Sequence, residues 1–418
     1  MMAGALTLTA CGSSGGASSD AATAKGPIKI WYSNNATEIA WGKQVVEAWN
    51  TANPDQTVTA EELPAGKSSE EVIGAAITAG TEPCLIYNTS PAAVPGFQKQ
   101  GGLIDLSSFA DGTSYIESRS GDAAKQYASP DGHYFQLPWK SNPVMIFYNK
   151  AVMTAAGVDP ENPPLATYDE FLATAKKIVD SKAAPYAIYP SPSSQFYQSW
   201  FDFYPLFAAE SKGKQLVIDG TSQFNGPEGL AVNEFWQQIY TDKLAGNEAY
   251  NGDSFADAKA AMAIVGPWAI SVYDGKVDWG VVPVPTSAGM PADEINTFSD
   301  AKNVAMYAAC TNQGTAWDFL KFSTSKEQDG QLLTLTGQMP QRPDLPTTYA
   351  EYFAANPSYT LFAEQAARTV EVPNVQNSVE IWQTFRDAYS SSVIFGTSDI
   401  PTALSAAATA IDGLAKAP

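Results

Sequence analysis

Histidine and basic side chains are scarce in this chain. It has one histidine, His133, and 24 lysines and arginines against 44 aspartates and glutamates, a formal net charge of −20. Such a surface repels phosphate backbones, so the composition argues against nucleic-acid binding. His133 follows an Asp-Gly turn and has no partner at triad or metal-ligand spacing, so the sequence has no signature of a catalytic base or a bound metal. Gly66-Lys67-Ser68 resembles the end of a phosphate-binding loop, but Glu61 replaces its first glycine, and no cofactor is expected.

Charged residues and cysteines are also few. Charged residues make up 16% of the chain, below the usual quarter, whereas aromatic residues reach 11%. A surface rich in uncharged polar groups suits secretion and neutral ligands. The cysteines, at positions 11, 84 and 310, form no C-x-x-C pair, which argues against zinc ribbons and thioredoxin-like chemistry. Cys84 and Cys310 lie beside apolar runs, where free Cys is often buried, and a disulfide in an oxidising compartment is the alternative.

Alternating strand and helix patterns predict an α/β fold. A chain of 418 residues is too long for one core and predicts two domains. Ile28–Tyr32 and Leu85–Tyr87 are strand-like runs separated by helical periodicity, which predicts a parallel sheet. Ligands of such sheets bind beyond the carboxyl ends of the strands. The amides at those ends are candidate ligand contacts, and they are Asn34, Asn35 and Asn88.

The stretch 131–150 predicts a passage of the chain between two bodies. Pro138 and Pro143 bracket Trp139, Lys140, Ser141 and Asn142. Because proline lacks an N–H, two prolines this close should interrupt any sheet. An aromatic ring, a cation and an amide would then be exposed at the crossing. An ordinary β-bulge at a sheet edge is the alternative.

The motifs around this stretch carry a family resemblance. In order they are Leu-Pro-Trp139, Tyr-Asn-Lys150, Ala-Gly-Val-Asp159, Pro163-Pro164, Thr-Tyr-Asp-Glu170 and Gly-Pro-Trp268. Their order and spacing resemble the extracellular solute-binding proteins of ABC sugar importers, the maltose-binding-like group called family 1. The resemblance runs from Ile28 to Leu414. It implies a two-lobe periplasmic-binding-protein-like α/β fold, each lobe a mainly parallel sheet flanked by helices and joined by hinge crossovers. We expect lobe one at 27–141 plus 298–345, and lobe two at 142–297 plus 346–418.

The resemblance also implies site residues. Trp268 and Trp382 fall where maltose-binding-like proteins place stacking aromatic rings, with core packing as the alternative for each. At three further positions this chain has amides where the family pattern has acidic, basic or aromatic groups. These amides are Asn34 or Asn35, Asn88, and Asn142. The difference favours a neutral saccharide other than maltose. The remaining candidates have a rim, interlobe or packing role as their alternative, and they are Trp139, Lys140, Tyr197, Trp200, Asp300 and Arg386.

The N-terminal segment resembles a lipoprotein signal. Leu8-Thr9-Ala10-Cys11 looks like a bacterial lipobox, and the Gly/Ser/Ala-rich residues 12–26 predict a flexible tether. We therefore expect a monomer, lipid-anchored through Cys11 on the extracellular face of the cytoplasmic membrane, that captures an oligosaccharide for an ABC permease. The alternatives are the same fold binding a polyol, phosphodiester or peptide, and a surface glycan hydrolase, which the missing catalytic motifs disfavour.

Overall fold

The computed structural model describes residues 19–33, 35–64 and 68–416. The predicted lipid site at Cys11 and the candidate Asn34 lie outside these residues. The strands of the described part are β1 (Ile28–Tyr32), β2 (Val58–Glu62), β3 (Leu85–Thr89), β4 (Leu137–Lys140), β5 (Met145–Asn149), β6 (Tyr186–Ile188), β7 (Val217–Ile218), β8 (Thr221–Ser222), β9 (Ala260–Val265), β10 (Trp279–Val282), β11 (Thr297–Phe298), β12 (Lys302–Met306) and β13 (Thr369–Val370).

The helices flank these strands. Those of the described part are α1 (Ser19–Thr23), α2 (Ala36–Ala52), α3 (Ser69–Ala79), α4 (Val94–Lys99), α5 (Gly112–Ser120), α6 (Lys150–Ala155), α7 (Tyr168–Asp180), α8 (Phe203–Glu210), α9 (Pro227–Thr241), α10 (Ile270–Tyr273), α11 (Gln313–Ser323), α12 (Lys326–Thr336), α13 (Leu345–Thr348), α14 (Ala350–Ala355), α15 (Thr360–Gln365), α16 (Ser378–Tyr389) and α17 (Ile400–Lys416). The motif Thr-Tyr-Asp-Glu170 forms a capping box: Thr167 and Glu170 exchange side-chain and backbone hydrogen bonds at the start of α7.

Two sheets form the cores of the two lobes. The first has the order β2-β1-β3-β12-β4, and the second has the order β10-β5-β9-β6. In the first sheet only β12 runs against the other strands, and in the second only β5 does. Each of these two strands is the one that follows a crossing from the other sheet. The predicted two-lobe α/β class is therefore confirmed.

Burial explains which strands read as continuous apolar runs. Every residue of β5 is buried, as expected for a strand covered by helices on both faces. In β1, which lies nearer the sheet edge, Ile28, Ile30 and Tyr32 are buried while Lys29 is exposed. Period-two alternation appears only where one face of the sheet reaches solvent.

Four chain segments run side by side between the sheets, and we call them the crossing ribbon: 138–144, 297–301, 338–341 and 369–371. Lateral backbone bonds join them, namely Ser141 N to Met339 O (2.9 Å), Asn142 N to Ser299 O (2.6 Å), Val144 N to Phe298 O (3.1 Å) and Ser299 N to Val370 O (3.0 Å). The predicted crossings near Asn142 and Phe298 are both part of this ribbon.

Pro138 corrects one expectation. It lies inside β4, where it pairs opposite Asn303, so the prediction that both prolines interrupt a sheet is wrong for this residue. The physical reason is that β4 is an edge strand, where a missing N–H breaks no central ladder. The β4–β12 register also shifts between Lys302 and Asn303, which is the edge irregularity of the alternative interpretation. Pro143 does separate β4 from β5.

The start of the described chain packs against the first lobe. Part of the expected tether forms helix α1, and Lys25 makes an ion pair with Asp318 and donates a 2.9 Å hydrogen bond to the Gly314 carbonyl of α11. Residues 19–26 are therefore held on the body rather than acting as flexible linker. No helix within the described ranges combines the length and apolar character that a membrane crossing needs.

A disulfide joins Cys84 to Cys310, so the thiols are bonded rather than free. Cys84 precedes β3 and Cys310 follows β12, and both side chains are buried in the first core. The bond connects positions separated by 226 residues in the sequence. It fixes β12, which arrives after the second lobe, beside a strand made early in the chain.

Candidate ligand-binding site

Trp268 occupies the first turn after strand β9. Gly266 precedes this turn in an extended conformation, and Pro267 takes its first position, where a missing N–H costs nothing. The indole is half-buried, and its Nε1 donates a 3.1 Å hydrogen bond to Asp300 Oδ2 in the crossing ribbon. A Cβ at position 266 would lie 2.8 Å from this Nε1 and 3.2 Å from the Asn142 Cβ, so only glycine lets the ring lie against the ribbon.

An aromatic cavity lies on the other side of this indole. It has a volume of about 280 Å³ and is found at the carboxyl ends of β6 and β9, where ligands of α/β sheets gather. The rings that line it are Tyr189, Phe201, Tyr250, Trp268 and Tyr273. Rings of this kind offer large rigid apolar faces, which match the C–H faces of a sugar.

A buried polar cluster on the first-lobe side of the ribbon complements the cavity. Glu38, in the first turn of α2, accepts hydrogen bonds from Lys140 Nζ, from Asn88 Nδ2 and, at 2.7 Å, from Gln338 Nε2. The Gln338 Oε1 in turn accepts a 3.4 Å bond from Asn142 Nδ2. Three of the predicted residues therefore meet through Glu38 and Gln338.

The ionic state of this cluster follows from its partners. Burial alone would raise the pKa of Glu38, but the Lys140 ammonium and the Asn88 and Gln338 amides lower it below its ordinary value. Glu38 and Lys140 therefore form a buried ion pair, with relative side-chain exposures of 5% and 2%. Among residues 19–33, 35–64 and 68–416, none donates a hydrogen bond to the buried Asn142 Oδ1, so within this part of the chain the amide has an acceptor without a partner.

Asp300 connects the cavity to the ribbon. Besides Trp268, it accepts a 3.1 Å bond from Lys302 Nζ, and its backbone has a φ of 40°, in the left-handed region. A non-glycine residue held there is uncommon and costs free energy that the surrounding structure must offset. Here the carboxylate is fixed between an indole N–H and an ammonium.

Three predicted aromatic candidates lie in cores instead. Trp139 is fully buried against Trp41 and Tyr87 in the first lobe. Trp382 is fully buried in the second lobe, and its ring packs against that of Trp200 at a centroid distance of 5.6 Å. These are the packing positions of the alternative interpretation. The reason is geometric, because a strand or an amphipathic helix turns such rings inward.

The remaining predicted residues lie around the site with other partners. Asn35 is exposed and caps α2, accepting from Thr37 N at 3.0 Å. Tyr197 is 38% exposed on the second lobe. Arg386 donates a 3.0 Å bond to the Ser194 carbonyl and pairs with Asp387, so it braces a loop rather than meeting Trp268 or Asn142.

The residues that the sequence did not indicate are Glu38, Gln338, Phe201, Tyr189, Tyr250 and Tyr273. Asn35 and Glu38 have the spacing of a helix cap and its N3 acid, a visible signal of a helix start. Nothing local links Glu38 to a lysine 102 residues later. The chain topology alone brings them together.

The geometry defines a class of protein. Two α/β lobes joined by a hydrogen-bonded ribbon, with an aromatic cavity in the second lobe beside the ribbon, have the architecture of a solute receptor. Comparison with known proteins agrees: residues 44–361 match the family of bacterial extracellular solute-binding proteins, and the chain belongs to this family. It is an extracellular binding protein rather than an enzyme.

Named relatives extend this result. The maltotriose-binding protein of Pyrococcus abyssi is 24% identical over 326 residues, covering 77% of this chain and 68% of the relative. The galactooligosaccharide-binding protein of Bacillus subtilis is 24% identical over 421 residues, covering 99% and 95%. The cyclic alpha-maltosyl-1,6-maltose binding protein of Arthrobacter globiformis superposes with a TM-score of 0.80 at 21% identity, covering 94% and 99%, and shares the fold.

Proposed function

We propose that this protein captures an oligosaccharide between its lobes and delivers it to the membrane subunits of an ABC importer. The observation that carries the proposal is the Trp268 indole, held by Asp300 between an aromatic cavity and the polar atoms of the crossing ribbon. A ring that can stack on a sugar therefore lies beside amides and carboxylates that can bond its hydroxyls. The oligosaccharide ligands named for the relatives support the same solute class.

We propose that the ligand contacts are Trp268, Asn142, Asn88 and Asp300, with Phe201 completing the cavity wall. The lobe limits 27–141 plus 298–345 and 142–297 plus 346–418 are part of this proposal. Calorimetry with maltotriose, a galactooligosaccharide, a polyol and a dipeptide tests it. Saccharide binding with micromolar or tighter affinity is expected. Binding of the polyol or the peptide in place of every saccharide would refute the proposed class.

Solute binding should also move the lobes. A ligand that touches both lobes stabilises the arrangement in which they close on it, by its differential affinity for that arrangement. Small-angle scattering should show a smaller radius of gyration on binding, while far-UV circular dichroism keeps the same helix signal. An unchanged radius with saturating saccharide would contradict hinge closure about the ribbon.

We further propose lipid attachment at Cys11, supported by the lipobox-like Leu8-Thr9-Ala10-Cys11. Attachment of two acyl chains would retain the receptor at the outer face of the membrane, close to a permease. When the full gene is expressed, metabolic labelling with a fatty-acid probe should mark the wild type and not Cys11→Ala. Equal labelling of the two proteins would refute this anchor.

A further inference from the structure

The two lysines next to the candidate site both have a carboxylate partner. Lys140 is paired with Glu38, and Lys302 is paired with Asp300 at 3.1 Å. The cavity adds Asp253, whose Oδ1 accepts the backbone N–H groups of Phe255 and Ala256. Within the described residues, the site therefore presents two ion pairs, and Asp253 and the buried Glu371 of the crossing ribbon, which lies near Lys302, are further carboxyl groups.

We propose that Glu38 is a specificity-determining residue: by neutralising Lys140, it makes the cleft select uncharged solutes and reject phosphorylated ones. This rests on the proposed function, because it concerns the same cleft. Specificity is a difference between two affinities, and an unfavourable charge against the wrong solute contributes as much as contacts to the right one.

The location of the pair supports this role. Glu38 belongs to α2 of the first lobe, while Lys140 and Gln338 belong to neighbouring segments of the crossing ribbon. A phosphate bound at the polar cluster would need the Lys140 ammonium, which is already held by a carboxylate and is buried, where the dielectric constant is low. The same Glu38 carboxylate would repel the incoming anion.

The pair also has no evident advantage for stability alone. Replacing a buried ion pair by well-packed neutral groups of similar size is often neutral or stabilising, whereas removing one partner leaves an uncompensated charge. A buried pair beside a ligand cleft is therefore better explained by what it does to the ligand. We expect the charge balance between Glu38 and Lys140, and not a contact between Glu38 and the solute, to set the preference for uncharged over phosphorylated solutes.

The experiment uses inorganic phosphate and sn-glycerol 3-phosphate as probes, with calorimetry at low ionic strength. Wild type should bind neither. Glu38→Gln should bind both probes roughly 10- to 150-fold more tightly than the upper limit of affinity measured for the wild type. This is the effect of one hydrogen bond to a charged group. Added salt should reverse the gain. Glu38→Gln combined with Lys140→Met should lose it again. Glu71→Gln, which removes an exposed carboxylate from α3, is the matched control for net charge.

Several results would overturn the proposal. Phosphate binding by the wild type would overturn it. A gain of phosphate affinity in Glu38→Gln that persists in the double variant would also overturn it, and so would a gain equal to that of Glu71→Gln. If Glu38→Gln does not fold, the wild type still provides a test. Its Glu38 is paired with Lys140, so phosphate must remain excluded at neutral pH and low ionic strength. None of these measurements uses a saccharide. The proposal for Glu38 can therefore be refuted while the oligosaccharide proposal stands, and the oligosaccharide proposal can be refuted while the proposal for Glu38 stands.

Discussion

Alanine in place of Trp268 or Trp382, one at a time, separates ligand stacking from core packing. Both residues belong to the second lobe and are the same residue type. Trp268 is half-buried with its Nε1 on Asp300, whereas Trp382 is fully buried and packs on Tyr204 at a centroid distance of 4.8 Å. The two variants therefore act as controls for each other.

The structure sets different magnitudes for the two changes. Trp382→Ala empties a core position and should cost about 3–5 kcal/mol of unfolding free energy, or about 6 to 20 °C in melting temperature for a lobe of this size. Trp268→Ala loses one hydrogen bond and part of an exposed ring, about 1–2 kcal/mol. Its solute affinity should fall by about 2–3 kcal/mol, roughly 30- to 150-fold, as for an aromatic anchor.

The assay is calorimetric affinity together with ligand-free thermal unfolding, on both variants and the wild type. The saccharide that binds wild type most tightly is the probe. We expect Trp268→Ala to keep most of its stability and lose binding, and Trp382→Ala to show the reverse. If Trp268→Ala loses as much melting temperature as Trp382→Ala and still binds normally, Trp268 is a packing residue and the proposed site is wrong.

Three further predictions concern the rest of the molecule. Removing the disulfide with Cys84→Ser and Cys310→Ser should cost about 2–5 kcal/mol, measured by urea unfolding against the oxidised wild type; equal midpoints would contradict this. Burial raises the pKa of Glu371 and of Asp202 to about 7. The folded state thus disfavours their charged forms, and wild-type stability should fall as pH rises through 4.5 to 7, less steeply in Glu371→Gln, with urea unfolding at pH 5 and pH 8 as the check. Gly266→Ala should push the Trp268 ring aside and weaken solute binding with little change in melting temperature, since the clash is with a side chain.

Local patterns predicted the fold well because most of its strands are defined by short-range signals. The apolar runs of β1, β3 and β9, the capping box at Thr167 and the Gly-Pro turn before Trp268 all depend on neighbouring residues. Pro138 was misjudged because its effect depends on whether its strand is central or at an edge. That is a property of the sheet, which no window of the sequence contains.

The site was predictable only in part, for the same reason. Asn88 and Asn142 are candidates because they lie at a predicted strand end and a predicted crossing, and Trp268 is a candidate because the Gly-Pro-Trp motif resembles that of the family. Glu38 could not be found, because its partners lie 50, 102 and 300 residues away. Trp382 was a candidate for stacking on a sugar, but the structure places it in the core. A tryptophan on an amphipathic helix has the same sequence signature in both cases.

The position of β12 has a consequence for how the chain folds. This strand lies between β3 and β4, so the first sheet has a gap until residues 302–306 are available. The second sheet, by contrast, needs only residues 145–282. Non-local pairing of this kind makes folding slow, because a long loop must close before the contacts form. The first sheet begins earlier in the chain than the second but can complete its hydrogen bonds only after the second sheet can, and the Cys84–Cys310 disulfide likewise requires residue 310.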